Sequence, residues 1–186
     1  MIRKMRAEGY QREGLIEMLE YMKGVYESRG RSLAVAQVVE FGTFLGESAA
    51  IFSKYFHTVY TIDPWDEDFI SATAGEHMPL ARITEEFLRN TEGCPNIVHF
   101  RLPSLIASRG FAADSLDLVY VDGWHHFAVV VGDILTWTPK VRKGGWIAGH
   151  DYMSEVNSQV IPAVKATLSA PDRVFKDFSW IKEITI

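Results

Sequence analysis

Two acid-bearing clusters could do chemistry in this 186-residue chain. In the first, the apolar run Val38-Val39 ends in Glu40 and continues as Phe41-Gly42-Thr43-Phe44-Leu45-Gly46-Glu47-Ser48. Two glycines four positions apart there lead into a helix-forming segment. A second apolar run, Thr58 to Ile62, ends in Asp63, with Trp65 just beyond it. In the second cluster Asp122, Gly123 and His125 follow the run Leu116 to Val121, and His150 with Asp151 follow Trp146 to Gly149. A strand–turn–helix puts backbone amides and a carboxylate at the mouth of an open parallel sheet, where α/β folds bind ligands. Histidine titrates near neutrality and suits proton transfer.

The first turn discriminates between ligands by size and charge. A dinucleotide site wants G-x-G-x-x-G, its second glycine letting the backbone approach a pyrophosphate. Phe44 stands at that position, and Glu40 would sit close to the phosphates. A dianionic bridge is disfavoured on both grounds, whereas a cation is attracted. S-adenosylmethionine carries an ammonium and a sulfonium but no phosphate, and meets this requirement. Asp63 lies 21 residues after Gly42, near the roughly 20-residue offset at which a second-strand acid holds ribose hydroxyls. The expected cofactor contacts are Glu40, Gly42, Thr43, Gly46, Ser48 and Asp63, with Trp65 beside the ribose and Asp122 on a neighbouring strand end.

The elements that must position these residues follow from hydrophobic period. Leu15, Met18, Leu19, Met22, Val25 and Tyr26 mark an amphipathic helix over Arg12 to Ser28, ended by Gly30. Strands are expected at Leu33–Phe41, Thr58–Asp63, Asn96–Leu102, Leu116–Asp122 and Trp146–His150, the last entered through a Gly144-Gly145 turn. Helices are expected at Glu47–Phe56, Ala81–Thr91, Leu105–Phe111, Phe127–Trp137 and Pro162–Leu168, with Gly132 implying close packing onto the sheet. Arg173–Asp177 and Trp180–Ile186 form an antiparallel pair, residues 64–79 a lid-like segment, and residues 1–32 an N-terminal helical extension. Trp124, Trp137, Trp146 and Trp180 are expected in the core. Strands alternating with helices give one α/β domain over 1–186 around a mostly parallel sheet.

Composition narrows the partners. The chain is 47% hydrophobic and 23% charged, with net charge −5, which argues against nucleic acid held by a basic face. Cys94 is the only cysteine, so no intrachain disulfide forms and a reducing compartment is the default. No apolar run approaches the roughly 20 residues of a membrane span, and no signal peptide opens the chain. The expectation is a soluble, cytoplasmic protein with a small-molecule substrate and no membrane partner. The short chain and N-terminal helix are compatible with a homodimer.

From Val35 to Ile186 the sequence resembles class I S-adenosylmethionine-dependent methyltransferases. It is most similar to macrolide and sugar O-methyltransferases and the cephalosporin hydroxylase relatives. The resemblance is carried by EFGTFLGES at 40–48, YTIDPW at 60–65, LDLVYVDGWHHF at 116–127 and RKGGWIAGHDY at 142–152. It implies a Rossmann-like, doubly wound sheet of about seven strands in the order 3-2-1-4-5-7-6, with an antiparallel C-terminal strand. It also implies O-methylation of a small hydroxylated acceptor, His125 as base, and a magnesium ion on Asp122, His150 and Asp151. His150 departs from the family's carboxylate and points instead to manganese, iron or zinc. Ser104 stands where relatives carry an acid that meets the adenine amino group. These two departures motivate a rival from another class, a non-catalytic binding or assembly module that retained the fold. A nicotinamide-dependent oxidoreductase is the weaker third reading. Residues 65–79 and 152–160, which should meet the acceptor, carry no recognisable pattern.

Overall fold

Strands buried on both faces have no polar side to turn to water, so near-continuous apolar runs assemble into an interior parallel sheet. In the computed structural model, which describes residues 10–66, 78–153 and 159–185, five such runs do so. They are β1 (Gln37–Phe41), β2 (Thr58–Ile62), β3 (Ile97–Phe100), β4 (Leu116–Val121) and β5 (Val141–Gly149). Two antiparallel strands, β6 (Arg173–Val174) and β7 (Trp180–Glu183), complete the order β3-β2-β1-β4-β5-β7-β6, as expected. The connecting helices are α1 (Tyr10–Ser28), α2 (Glu47–Phe52), α3 (Leu80–Asn90), α4 (Ser104–Ala107), α5 (Phe127–Trp137) and α6 (Val160–Leu168). The strand order reverses between β1 and β4, and the crevice at their C-terminal ends is where such sheets bind ligands. None of the described helices is long and apolar enough to cross a membrane.

Strand side chains alternate between faces, and two cores result. Met18, Leu19 and Met22 of α1 pack with Phe52, Val38, Tyr120, Ala148 and Ile181 on one face. Val130, Ile134 and Trp137 of α5 and Val160, Ala163 and Val164 of α6 pack with Val39, Val119 and Ile147 on the other. Glu40, Asp122, His150 and Ser179 each stand two residues from a member of the α1-side core and continue that face. The C-terminal end of α1 is fastened to the opposite edge of the sheet by Asp117. This buried carboxylate accepts from Tyr26 Oη at 2.9 Å, Arg31 at 3.1 Å and the Gln37 amide at 2.8 Å.

Several boundaries differ from the sequence reading. Residues 33–35 form a 3-10 turn because Ser32 Oγ accepts the Ala34 amide, so β1 starts at Gln37 and not at Leu33. Gly144 and Gly145 lie inside β5 and do not precede it. Gly144, at φ +75°, donates its amide to the Ile184 carbonyl where the β4–β5 register shifts. α2 ends at Phe52, four residues earlier than expected. Trp137, Trp146 and Trp180 are core residues, but Trp124 is 53% exposed. Residues 67–77 of the expected lid lie outside the described residues.

Gly132 also departs from expectation: a Cβ there would meet nothing within 4 Å, so no close packing requires it. Gly14 in α1 is the opposite case, since its Cβ would lie 2.1 Å from Asp177 Cγ. Propensity favours alanine by about 1 kcal/mol at either position. Gly132→Ala should therefore raise Tm by roughly 2–4 °C, and Gly14→Ala should lower it. Paired thermal melts decide the matter, and equal shifts of one sign would refute this assignment.

Candidate active site

Glu40, the penultimate residue of β1, is fully buried. Its Oε2 accepts from Thr43 Oγ1 at 2.6 Å, while Oε1 has no hydrogen-bond partner among the described residues. Burial pushes its carboxyl up to about 7; the neighbouring hydroxyls of Ser48 and Thr43 oppose this, and the charges of Asp122 and Asp63 reinforce it. An orphaned buried carboxylate oxygen fits the ammonium of S-adenosylmethionine. The two glycines serve the turn itself. A Cβ on Gly42 would fall 1.9 Å from the Asp122 carbonyl, and one on Gly46 would fall 2.8 Å from the Phe87 ring. Both hold φ +78°, which only glycine adopts without strain.

Asp63 is held on both oxygens, Oδ2 accepting the Phe44 amide and Oδ1 the Trp65 amide, each at 2.9 Å. Burial raises its pKa and these two amides lower it. Each oxygen retains a lone pair for a ribose hydroxyl. Trp65 is a tie within the rim. Its Nε1–H donates to the Phe44 carbonyl at 3.2 Å and its ring stacks on His99 with centroids 4.2 Å apart. The hydroxyl of Ser104 is committed to the buried carboxylate of Asp133 on α5. Burial lifts Asp133 to about 6, against the hydrogen bond from Ser104. Sequence reasoning passed over Asp133, because one acid among the apolar residues of α5 has no motif around it.

The second cluster assembles at the ends of β4 and β5. His125 Nε2 lies 3.0 Å from Asp151 Oδ2 and 3.8 Å from Asp122 Oδ1. His150 Nδ1 lies 3.3 Å from Asp151 Oδ1 and 4.0 Å from Asp122 Oδ1. Burial works against charge on both imidazoles, but the acids prevail and hold His125 up to about 10 and His150 up to about 9. Burial would raise Asp151, and the two imidazoles overcome it and hold that carboxyl well below its usual range. Gln159 locks the turn that carries His125, its side chain accepting the Phe127 amide and its amide donating to the His125 carbonyl. His126 is exposed and caps α5, as expected of a solvent neighbour.

Ligand atoms of Asp122, His125 and Asp151 lie within 4.8 Å of one another, a donor set that fits a divalent cation. The set differs from the sequence expectation, since it contains His125 and leaves His150 at its edge. Mixed imidazole and carboxylate ligands suit manganese, iron or zinc better than magnesium.

Residues 39–152 match the family model described as a methyltransferase domain. The chain belongs to that family, and its sheet is that of a class I S-adenosylmethionine-dependent methyltransferase. An uncharacterised protein of Acanthamoeba polyphaga mimivirus is 31% identical over 133 residues, 68% of this chain and 56% of that protein's length. Among solved structures, an rRNA methylase from Streptococcus thermophilus superposes with TM-score 0.61 at 11% identity, covering 91% of this chain and 95% of that one. Haemonchus contortus phosphoethanolamine N-methyltransferase 1, solved with phosphoethanolamine and S-adenosylhomocysteine, has TM-score 0.51 at 16% identity. It covers 75% of this chain and 27% of that longer one. The shared fold accommodates both an RNA methylase and a small-molecule methyltransferase.

Because the carboxyl of Glu40 holds its proton more tightly folded than unfolded, stability falls as pH rises from about 4.5 to about 7. Glu40→Gln should therefore exceed the wild type in Tm at pH 8 and lose that advantage below pH 5. The same variant should bind S-adenosylhomocysteine at least tenfold more weakly, since a charge-assisted hydrogen bond is lost. Unchanged affinity by calorimetry would remove Glu40 from the cofactor site.

Proposed function

We propose that the chain transfers the methyl group of S-adenosylmethionine to a hydroxyl oxygen of a small acceptor, with His125 as base. The juxtaposition of the Glu40–Asp63 rim with the Asp122–His125–Asp151 cluster carries this reading, because a bound sulfonium and a proton acceptor would then share one crevice. Glu40 and Asp63 would hold the cofactor at its ammonium and ribose ends. Asp151 Oδ2 pairs with His125 Nε2 at 3.0 Å, which leaves Nδ1 as the nitrogen to take the hydroxyl proton. This is the orienting role an acid plays toward a catalytic imidazole. A divalent ion held by Asp122 and Asp151 would neutralise the two acids that keep His125 charged and would favour the ionised acceptor oxygen. The deprotonated oxygen attacks the methyl carbon in line as the carbon–sulfur bond breaks, and S-adenosylhomocysteine leaves. Holding the two reactants together can contribute roughly 7–11 kcal/mol.

The acceptor is read as small because the base, its side chain 39% exposed, lies at the ends of two strands in a chain of net charge −5. A cytoplasmic location belongs to the same reading and rests on the single cysteine. The rival module predicts cofactor binding without turnover. Methyl-labelled S-adenosylmethionine incubated with a panel of catechols, sugars and hydroxylated macrolides should label an acceptor. His125→Ala should then lower kcat about 10²–10⁴-fold, with S-adenosylhomocysteine affinity unchanged. Label reaching only amines or RNA would refute oxygen transfer, and cofactor binding without any labelled product would favour the module.

A further inference from the structure

Among the side-chain atoms buried with no hydrogen-bond partner among the described residues are Glu40 Oε1, His150 Nε2 and Asp177 Oδ2. The first is taken up by the cofactor. The other two are brought together by the fold. β7 runs antiparallel to β5 with Gly149 opposite Trp180, so the next step of the register sets His150 against Ser179. Just beyond, the Tyr152 amide donates to the Phe178 carbonyl at 3.0 Å. Asp177 stands two residues before Ser179, and its Oδ1 accepts the Ser179 amide at 2.9 Å. Asp177 is fully buried and His150 is 8% exposed. The imidazole turns Nδ1 to Asp151 and Asp122, so Nε2 points away from those acids. His150 and Asp177 also sense each other's charge.

A role in the turn accounts for Oδ1 of Asp177 and leaves Oδ2 unexplained. An unpaired oxygen on a fully buried acid is left at the full cost of its lost hydration. The protein nevertheless encloses it closely. The backbone of α1 passes over the carboxylate at Gly14, where any Cβ would collide with it. Lys176 Nζ to Glu13 at 2.7 Å and Arg173 to Glu17 at 3.4 Å clamp the same segment to α1.

We infer that Asp177 is a positioning residue acting through His150. Asp177 Oδ2 receives the Nε2–H of His150 through one enclosed water, since the two atoms have no direct partner, and so sets the ring with Nδ1 toward Asp151 Oδ1. That contact fixes the Asp151 carboxylate so that its other oxygen meets His125 Nε2 at 3.0 Å. Acid and imidazole thus alternate from beneath α1 to the rim as Asp177, His150, Asp151 and His125. The inference rests on reading His125 and Asp151 as the reactive pair, but its geometry needs no metal.

The test compares the full-length wild type with Asp177→Asn. The amide retains an oxygen for the Ser179 amide and presents an N–H₂ where His150 needs an acceptor. In nitrogen-15 histidine spectra, the wild type should show a proton on His150 Nε2. Asp177→Asn should lose that signal and shift the His125 ring resonances, with the Ser179 amide unmoved. In calorimetry with manganese chloride, the same variant should bind about 10–100-fold more weakly. His150→Ala should bind as weakly, and the double variant no more weakly than either. Unchanged His150 and His125 resonances in Asp177→Asn would overturn the inference. Absence of manganese binding by the wild type would refute the metal reading of the cluster alone, because the ring spectra still decide Asp177. Should Asp177→Asn not fold, Gly14→Ala displaces the same carboxylate without altering its chemistry and is read by the same resonances.

Discussion

Carboxylates crowded at one edge of a buried sheet repel each other and resist leaving water, so the site depends on how their charge is compensated. The compensation differs from acid to acid. Glu40 is met by hydroxyls, Asp63 by two backbone amides, Asp177 by one amide, and Asp122 with Asp151 by two imidazoles. Hydroxyls and amides fix a carboxylate in place but bring no full positive charge, which leaves Glu40 and Asp63 attractive to a cationic guest. Imidazoles neutralise their acids in the free protein yet can release protons when a cation enters. Two kinds of partner therefore divide one acidic rim into a half without cationic partners, proposed above for the cofactor, and an imidazole-paired half, proposed for the reaction.

The two halves are mechanically one unit. Gly42 of the cofactor turn approaches the Asp122 carbonyl so closely that no Cβ fits between them. Asp63 reaches back to the Phe44 amide, and Trp65 donates to the Phe44 carbonyl. Phe44, Trp65 and Asp151 hold φ of 45°, 49° and 58° at the ends of β1, β2 and β5. Positive φ at bulky residues is a strained state that persists only where surroundings enforce it, and these three positions ring the crevice. The strain is held by the strand pairs beneath, whose side chains are nearly all excluded from solvent.

How much of this was legible follows from what kind of signal each residue carries. Glu40, Asp63, Asp122 and Asp151 end apolar runs, and a parallel sheet brings the ends of such runs together, so pattern alone placed them. The strand order came from resemblance, because period says nothing about which strands are neighbours. Ser104 was expected near adenine, and its hydroxyl also donates to Asp133, a partner that only the packing of α4 on α5 supplies. Asp117 and Asp177 carry no motif either. Each matters through partners outside its own element, for Asp117 the Gln37 amide and Tyr26 hydroxyl, 80 and 91 residues away in sequence. Gly132 misled for the converse reason. A glycine in a helix signals a close approach only when something is there to approach, and that is a tertiary fact.

The same reasoning changes the status of α1. Read from sequence it is an extension ahead of the sheet, amphipathic and ordinary. In the fold its apolar stripe closes the face on which Glu40, Tyr120, His150, Ser179 and Asp177 form a continuous polar row, with Tyr120 Oη and Ser179 Oγ 3.0 Å apart. A polar row at the bottom of an open groove would be hydrated and its charges screened. Enclosed under α1, the same groups act in a low-dielectric setting where each hydrogen bond and each missing partner weighs more. The helix covers Asp177 at Gly14, whereas His125 at the other end of the row stays 39% exposed at the rim.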